Sequence, residues 1–465
     1  MAEEIADPRS DQPRTMPLRA AIGGLRRGFE SLGVRNYRLY WLGQVVSLVG
    51  TWMQQVSLPW LVLSLGGSPL QLGFVSVLQF GPSLILAPFG GVVADRIDKR
   101  HMLIATQIGA ASQAGILFFL TATGVVEIWM VMVMAFWLGL VNALDMPVRQ
   151  ALAADLVPRN LLSNAIALNS MAFNSARIVG PALAGVIIAA GTAASGSATS
   201  GVAVNLGINA VSYVAVLIGL IRMNPRQIRR PQQPERHPPV LHSLREGFDY
   251  AIRTPLVLWC LVLLGGIAAF GFNFQILLPL FAREVLHLGP EAYGGLYAAM
   301  GVGSLGGSLT LAFMRARRAI PLMLVGGTVF SLLLVAIGVA RDVLVAGALV
   351  LAAGYASMLM INTINATVQA NVTDALRGRV MSFYVTVFAG SAPLGGLFAG
   401  AVAETLGTPA AFFAGAALSL LTVGIVALGL RAAREKGSLG VTTIDSGGSR
   451  REAGGTSPQS ASATR

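Results

Sequence analysis

The 465-residue chain is 54% hydrophobic and only 12% charged, a balance too apolar and too poor in charge for an ordinary soluble domain. Its net charge of +12 would point to nucleic acid in a soluble protein, but the basic residues gather at the ends of apolar runs rather than on one face, which excludes that reading. A single cysteine, Cys260, excludes an intrachain disulfide and a cysteine metal cluster.

Residues 1–35 carry Arg9, Arg14, Arg19, Arg26, Arg27 and Arg35 ahead of the first apolar run. That run is longer than the core of a secretory signal and lacks a small-residue cleavage site after it, so the segment reads as a cytoplasmic tail that is kept. Crossing hydrocarbon takes about 20 apolar residues. On that ruler residues 36–222 hold six spans, near 39–65, 70–94, 102–123, 128–148, 163–190 and 202–221. Residues 223–254, with the string RQIRRPQQPERHPP, are too polar and Pro-rich to fold alone and read as a cytoplasmic linker. Six more spans follow in residues 255–430, near 256–281, 291–313, 321–340, 343–370, 380–404 and 410–430. Residues 431–465 are Gly/Ser-rich without periodicity and read as a disordered cytoplasmic tail. The 54 glycines suit this picture, because small residues let helices approach closely in lipid.

Alternate loops differ in charge. The N-terminal tail, residues 95–101, the linker, residues 315–318, and Arg377 with Arg379 are basic, whereas the opposite loops hold essentially Arg283 and Arg341. Excess Lys and Arg marks the cytoplasmic side, so both termini are expected in the cytoplasm. The two halves also repeat. Gly73 and Gly81 precede Arg96 as Gly295 and Gly303 precede Arg318, with 23 positions from first glycine to arginine in each case. Gln150 stands five residues before Asp155, as Gln369 does before Asp374. Span five carries Gly180-Pro181-Ala182-Leu183-Ala184-Gly185 and span eleven carries Ala392-Pro393-Leu394-Gly395-Gly396. Gly180, Pro181, Gly185 and Pro393 are therefore expected at helix contacts and kinks.

The most distinctive string is Gly90-Gly91-Val92-Val93-Ala94-Asp95-Arg96-Ile97-Asp98-Lys99-Arg100, between spans two and three. Small residues allow close packing there, and the Asp95 carboxylate can sit at a facing helix N-terminus or pair with an arginine. Gly91, Asp95, Arg96 and Arg100 are the candidate conformational latch; a merely basic turn is the plain alternative. This GxxADRxxxR loop, in a chain of six plus six spans, resembles the signature loop of the major facilitator superfamily. The stretches RNYRLYWLGQVVSLVGTWMQQ and ALDMPVRQALAADLVPRNLLSNAIALNSMAFNSARIVGPALAG resemble the enterobactin-exporter branch, the transmembrane secretion effectors, which is similar also to macrolide efflux proteins. The resemblance implies an all-α integral membrane fold of twelve helices in two pseudo-symmetric six-helix bundles. It implies secondary active export of a siderophore or drug-like molecule across the cell membrane by proton antiport. Where the family loop commonly has Gly this chain has Asp98, and residues 315–318 lack an acid, so the latch is expected to be asymmetric.

Charges inside spans are expensive and functional by default. Arg177 lies about 14 residues into span five, roughly 20 Å deep at 1.5 Å per residue. It can receive an anionic or catechol-bearing substrate, or be a structural cation satisfied by carbonyls or by Asn169 and Asn174. Asp145 and Arg149 are four residues apart, hence on one helical face; Asp145 is a candidate proton carrier, or else a solvated ion pair or a partner for Asp95. Gln44, Gln54, Gln55, Asn142, Asn273, Gln275, Asn362, Asn365 and Gln369 must find partners in lipid, so they turn toward a central cavity or bond between helices. Trp52, Trp60, Phe270, Phe272 and Phe274 can stack on a planar substrate or face lipid.

No enzyme is legible. The four histidines, His101, His237, His242 and His287, lie in or beside loops, and HExxH, GxSxG and GxxxxGK[ST] strings are absent. No cofactor is expected. The expected partners are a small-molecule substrate, protons and the bilayer, without nucleic acid, for a monomer. An importer or uniporter, or a membrane sensor or scaffold that transports nothing, are the other readings.

Overall fold

In lipid a backbone must satisfy its own polar groups, and the long apolar runs do so as helices. The computed structural model describes residues 28–96, 98–228, 240–314 and 319–436. The helices are α1 (Arg35–Ser64), α2 (Pro69–Arg96), α3 (Lys99–Ala122), α4 (Ile128–Asp155), α5 (Leu162–Ser195), α6 (Ala198–Arg222) and α7 (Val240–Arg253). They continue as α8 (Pro255–Phe270), α9 (Phe274–Leu280), α10 (Pro290–Phe313), α11 (Ala319–Val339), α12 (Val343–Ala370), α13 (Asp374–Leu406) and α14 (Thr408–Glu435). Among the described residues 11 segments are long and apolar enough to cross a membrane, α8 and α9 counting as parts of one. The outward surface carries Phe119, Val186, Val211, Leu344 and Leu428, all well exposed, a face only lipid suits.

The first expected span does not reach that apolar threshold, although α1 is 30 residues long. The reason is its burial. Gln44, Ser47, Gln54 and Ser57 all lie against protein, as do Leu58 through Leu63. The face of α1 turned to other helices carries polar side chains that a lipid-facing surface cannot, while Leu42 and Val46 stay on its outward face.

The packing of the first six helices recurs in the last. α1 lies on α5 and α6, α2 on α4, and α3 on α4 and α6; in the second set α8 lies on α13 and α14, α10 on α12, and α11 on α12 and α14. Two further pairs, α2 with α13 and α5 with α10, cross between the sets. Both crossings are made backbone to backbone. A β-carbon added at Gly73 would lie 2.7 Å from the Gly396 carbonyl oxygen, and one at Gly185 would lie 2.7 Å from that of Pro290.

Three local features depart from the sequence reading. The seventh span is broken: α8 stops at Phe270, and α9 restarts only at Phe274, ending in a π-turn over Phe281–Val285. The linker contains a helix, α7, because its sequence VLHSLREGFDYAIR is amphipathic and finds a partner. Tyr250 donates to the Asn371 carbonyl (2.9 Å), Glu246 pairs with Arg379, and Phe248 meets Phe383 edge-on. The final helix runs to Glu435, five residues past the expected boundary, while residues 437–465 lie outside the described residues.

Candidate functional site

Asp145 and Arg149 meet on one face of α4, as their spacing requires. Asp145 is only 4% exposed. One carboxylate oxygen accepts from Thr106 Oγ1 (2.7 Å) and Gln107 Nε2 (2.8 Å), both on α3. The other takes Arg149 Nε (2.7 Å) and Arg149 Nη2. All four acceptor directions of the carboxylate are filled, so a proton can enter only by displacing a donor. Of the readings offered for Asp145, the solvated ion pair is corrected: its carboxylate is sunk between α3 and α4, while Arg149 keeps 23% of its side chain exposed. Asn142 is half-buried one turn earlier.

Gln54 does not face a cavity. It donates to Gln113 Oε1 (3.0 Å) and accepts from Asn209 Nδ2 (2.5 Å), tying α1 to α3 and α6. Ser212 adds a bond to the Asn209 carbonyl at 2.7 Å. Gln113 and Asn209 carry no motif. Their buried amides are findable only as polar residues inside apolar runs.

Between the helix sets, bonds cluster toward the end of α1 at Ser64. Gln275 donates to Gln55, and Arg283 Nη1 to the Leu63 carbonyl. Trp60 stacks on Tyr293 with centroids 6.0 Å apart and planes 19° apart. The Leu70 N–H donates to Glu404 Oε2 at 3.1 Å. Asn273 sits at the break before α9, donating to the Ala269 carbonyl (2.9 Å). Asn362 donates to Ser308 Oγ (3.0 Å), joining α12 to α10. Gln369 donates to Asn365 Oδ1 (2.7 Å) one turn earlier on α12.

Arg177 occupies the junction of α1, α5 and α10. It is 7% exposed, its guanidinium carbon stands 5.8 Å from the Trp52 ring centroid, and its Nε is buried without a hydrogen-bond partner. Asn174 turns away to the Ser170 carbonyl (2.8 Å), and Asn169 accepts from Tyr37 (3.2 Å). The expected amide support for Arg177 is therefore corrected. Proline has no N–H, so Pro181 leaves the Arg177 carbonyl without its helical donor. α10 approaches that same carbonyl so closely that a β-carbon at Gly301 would lie 3.1 Å from it. Gly180 gives room to α1, where a β-carbon would stand 2.9 Å from the Val49 carbonyl oxygen. Pro393 lies inside α13.

Of the latch candidates, Arg100 is described. Its Nε donates to the Leu220 carbonyl (2.7 Å) and its Nη2 to that of Ile221 (3.1 Å), capping the C-terminus of α6. Asp98 caps α3 by accepting from the Arg100 and His101 N–H groups (3.0 and 3.1 Å), and Lys99 pairs with Asp155 at 2.6 Å. Gly91, Asp95 and Arg96 fall in residues 87–97, whose side chains lie outside the described residues. Among the described residues no His, Cys, Asp and Glu cluster could hold a metal.

Comparison with known proteins agrees with this architecture. The staphyloferrin A transporter of Staphylococcus aureus is 24% identical over 77% of this chain and 87% of its own length. The enterobactin exporter of Escherichia coli is 24% identical over 84% of this chain and 91% of its own. A bacterial homolog of the human lysosomal transporter Spinster, solved inward-facing and unoccupied, superposes with a TM-score of 0.64 at 17% identity, covering 85% of this chain and 94% of that one. These proteins are transporters and not enzymes. Residues 27–439 match the transmembrane secretion effectors, and the chain belongs to that family of major facilitator transporters.

Proposed function

We propose that the chain exports a small organic molecule from the cytoplasm across the cell membrane by alternating access, driven by protons moving the other way. In this reading α1 is a twelfth span, α1–α6 and α8–α14 are two six-helix bundles, and both termini are cytoplasmic. The recurrence of packing pairs supports the two bundles. The basic loops support the orientation. The observation that carries the reading is the distribution of bonds between the sets: Gln55 to Gln275, Arg283 to Leu63, Trp60 on Tyr293, and Leu70 to Glu404 all lie toward the Ser64 end of α1. That end is the outer one by loop charge, so the arrangement is that of a carrier shut outward and ready to load from the cytoplasm. Arg177 stands where Gly301 of α10 packs on α5, a position that would border the space such a carrier opens.

Asp145 is the proton carrier in this scheme. Among the described residues Asp145 and Arg177 are the charged side chains that are buried, and only the first can give up a negative charge by taking a proton. Arg149 would have to swing away first. The latch of Gly91, Asp95, Arg96 and Arg100 belongs to the same cycle, biasing one conformer over the other. The test is cellular accumulation of catecholate siderophores, macrolides and cationic dyes in expressing and non-expressing cells, with and without a protonophore. Lower accumulation that the protonophore restores is the expected result. Higher accumulation in expressing cells would replace export by import, and no difference for any compound would argue for a protein that senses or scaffolds.

A further inference from the structure

Arg177 is a cation with an unanswered charge. The described ion pairs assign Asp145 to Arg149, Asp155 to Lys99 and Glu246 to Arg379, and none reaches Arg177. Its Nε is buried without an acceptor. The ring of Trp52 at 5.8 Å offers only the weak attraction of a π face. Burying an arginine in this state is costly unless an anion completes it. The surroundings say what kind. Trp52 is bordered by Phe173 edge-on at 5.5 Å and by Tyr297 at 6.3 Å, and Phe173 is 46% exposed, so a continuous set of aromatic rings runs from the surface of the helix sets to the guanidinium.

We infer that Arg177, Trp52, Phe173 and Tyr297 form a subsite for an organic anion, a carboxylate borne on a planar ring, contributed by both helix sets. The inference rests on the reading of the chain as a transporter, and it narrows the substrate class. The carboxylate takes the Arg177 guanidinium, including the orphaned Nε, and the ring lies along Trp52 and Phe173. A cationic dye or an amine-bearing macrolide is repelled at this position, and an uncharged ligand leaves the guanidinium unpaired. Because Tyr297 comes from α10 and Trp52 and Arg177 from α1 and α5, a bound anion touches both sides of the junction that must part during a cycle.

The experiment uses the full chain in lipid nanodiscs and measures binding of 2-naphthoate, 2-naphthamide and 2-naphthylmethylammonium by equilibrium dialysis. Hydrogen bonds to a charged group are the stronger kind, so naphthoate is expected to bind at least tenfold more tightly than the amide, with the ammonium weakest. Arg177→Gln should bind acid and amide alike, whereas Arg177→Lys keeps the cation and part of the preference. Because Arg177→Gln can fail to fold, a diazirine-bearing naphthoate is also photolysed on the wild type. Label is expected in the segments of Trp52, Arg177 and Tyr297. Equal affinity for acid and amide, no binding of naphthoate, an acid preference surviving in Arg177→Gln, or label elsewhere would each overturn the subsite. Transport is not required for any of these readings, so failure of export in cells and failure of this subsite are separate results.

Discussion

Replacing Asp145 by Ala removes the acceptor for four donors at once: Thr106 Oγ1, Gln107 Nε2, and Nε and Nη2 of Arg149. Breaking a buried pair from one side typically costs about 3–5 kcal/mol, because the survivor is left uncompensated. Arg149 is not sealed in, with 23% of its side chain exposed, so part of that is recovered by its turning to water, and a loss of about 2–4 kcal/mol is expected. Removing both charges, Asp145→Ala with Arg149→Met, should be milder than the single change, since no stranded cation remains. The chain carries its own reporter. Cys260 is the single cysteine and is fully buried, so a thiol-reactive fluorogenic dye lights up only as the helices come apart. Melting curves by that dye should rank wild type first, the double variant second and Asp145→Ala last. A single variant within about 1 kcal/mol of wild type, or a double variant worse than the single, would refute the view that this cluster is a closed ionic unit.

Asp95→Asn is expected to leave the protein in the membrane and to slow or abolish the drop in cellular accumulation; normal transport by a well-expressed variant would remove the latch role. Gly185→Val forces apart α5 and α10, where a β-carbon stands 2.7 Å from the Pro290 carbonyl oxygen. In a Cys260→Ala background, a cysteine placed at Trp60 should then react faster with a membrane-impermeant maleimide applied from outside, and unchanged reactivity would count against an outer seal there. Gln55→Leu and Gln275→Leu each cut the same bridge, so their effects on that labelling should be equal and should not add in the double variant. Strict additivity would mean the two amides act on different partners.

Membrane spans were readable because one number, the apolar length of a helix that crosses hydrocarbon, governs them. α1 shows where that ruler fails: Gln44, Gln54 and Ser57 lie on a face buried by other helices, and that burial is a property of the assembly. The break at residues 271–273 falls on Gly271, Phe272 and Asn273, and because membrane helices also tolerate glycine and inward-facing amides, these residues alone do not mark an interruption. Asp145 and Arg149 were legible as a pair because helical spacing alone joins them. Thr106 and Gln107 were not, being 39 and 38 residues away. Asn169 and Asn174 are near Arg177 in the chain and are one set of candidate partners for it, but Asn174 donates to the Ser170 carbonyl and Asn169 accepts from Tyr37 instead. Depth was legible there; the absence of a partner was not.

The glycine contacts between α2 and α13, and between α5 and α10, bear on speed as well as on fit. Where Gly73 faces Gly396 and Gly185 faces Gly294, the opposing surfaces are smooth backbone without interlocking knobs, so each pair behaves as a plain bearing. At Gly73, Gly185 and Gly294 no side chain stands between the helices, although Leu84 against Gly390 and Ile178 against Gly301 still key the same two interfaces. Friction is then concentrated in a few discrete fasteners, the Gln55–Gln275 bridge, the Arg283 hold on Leu63 and the Glu404 hold on the N-terminus of α2. In the proposed alternating-access cycle those fasteners would set the timing of an outer gate, and altering their number should change how often it opens without changing how far.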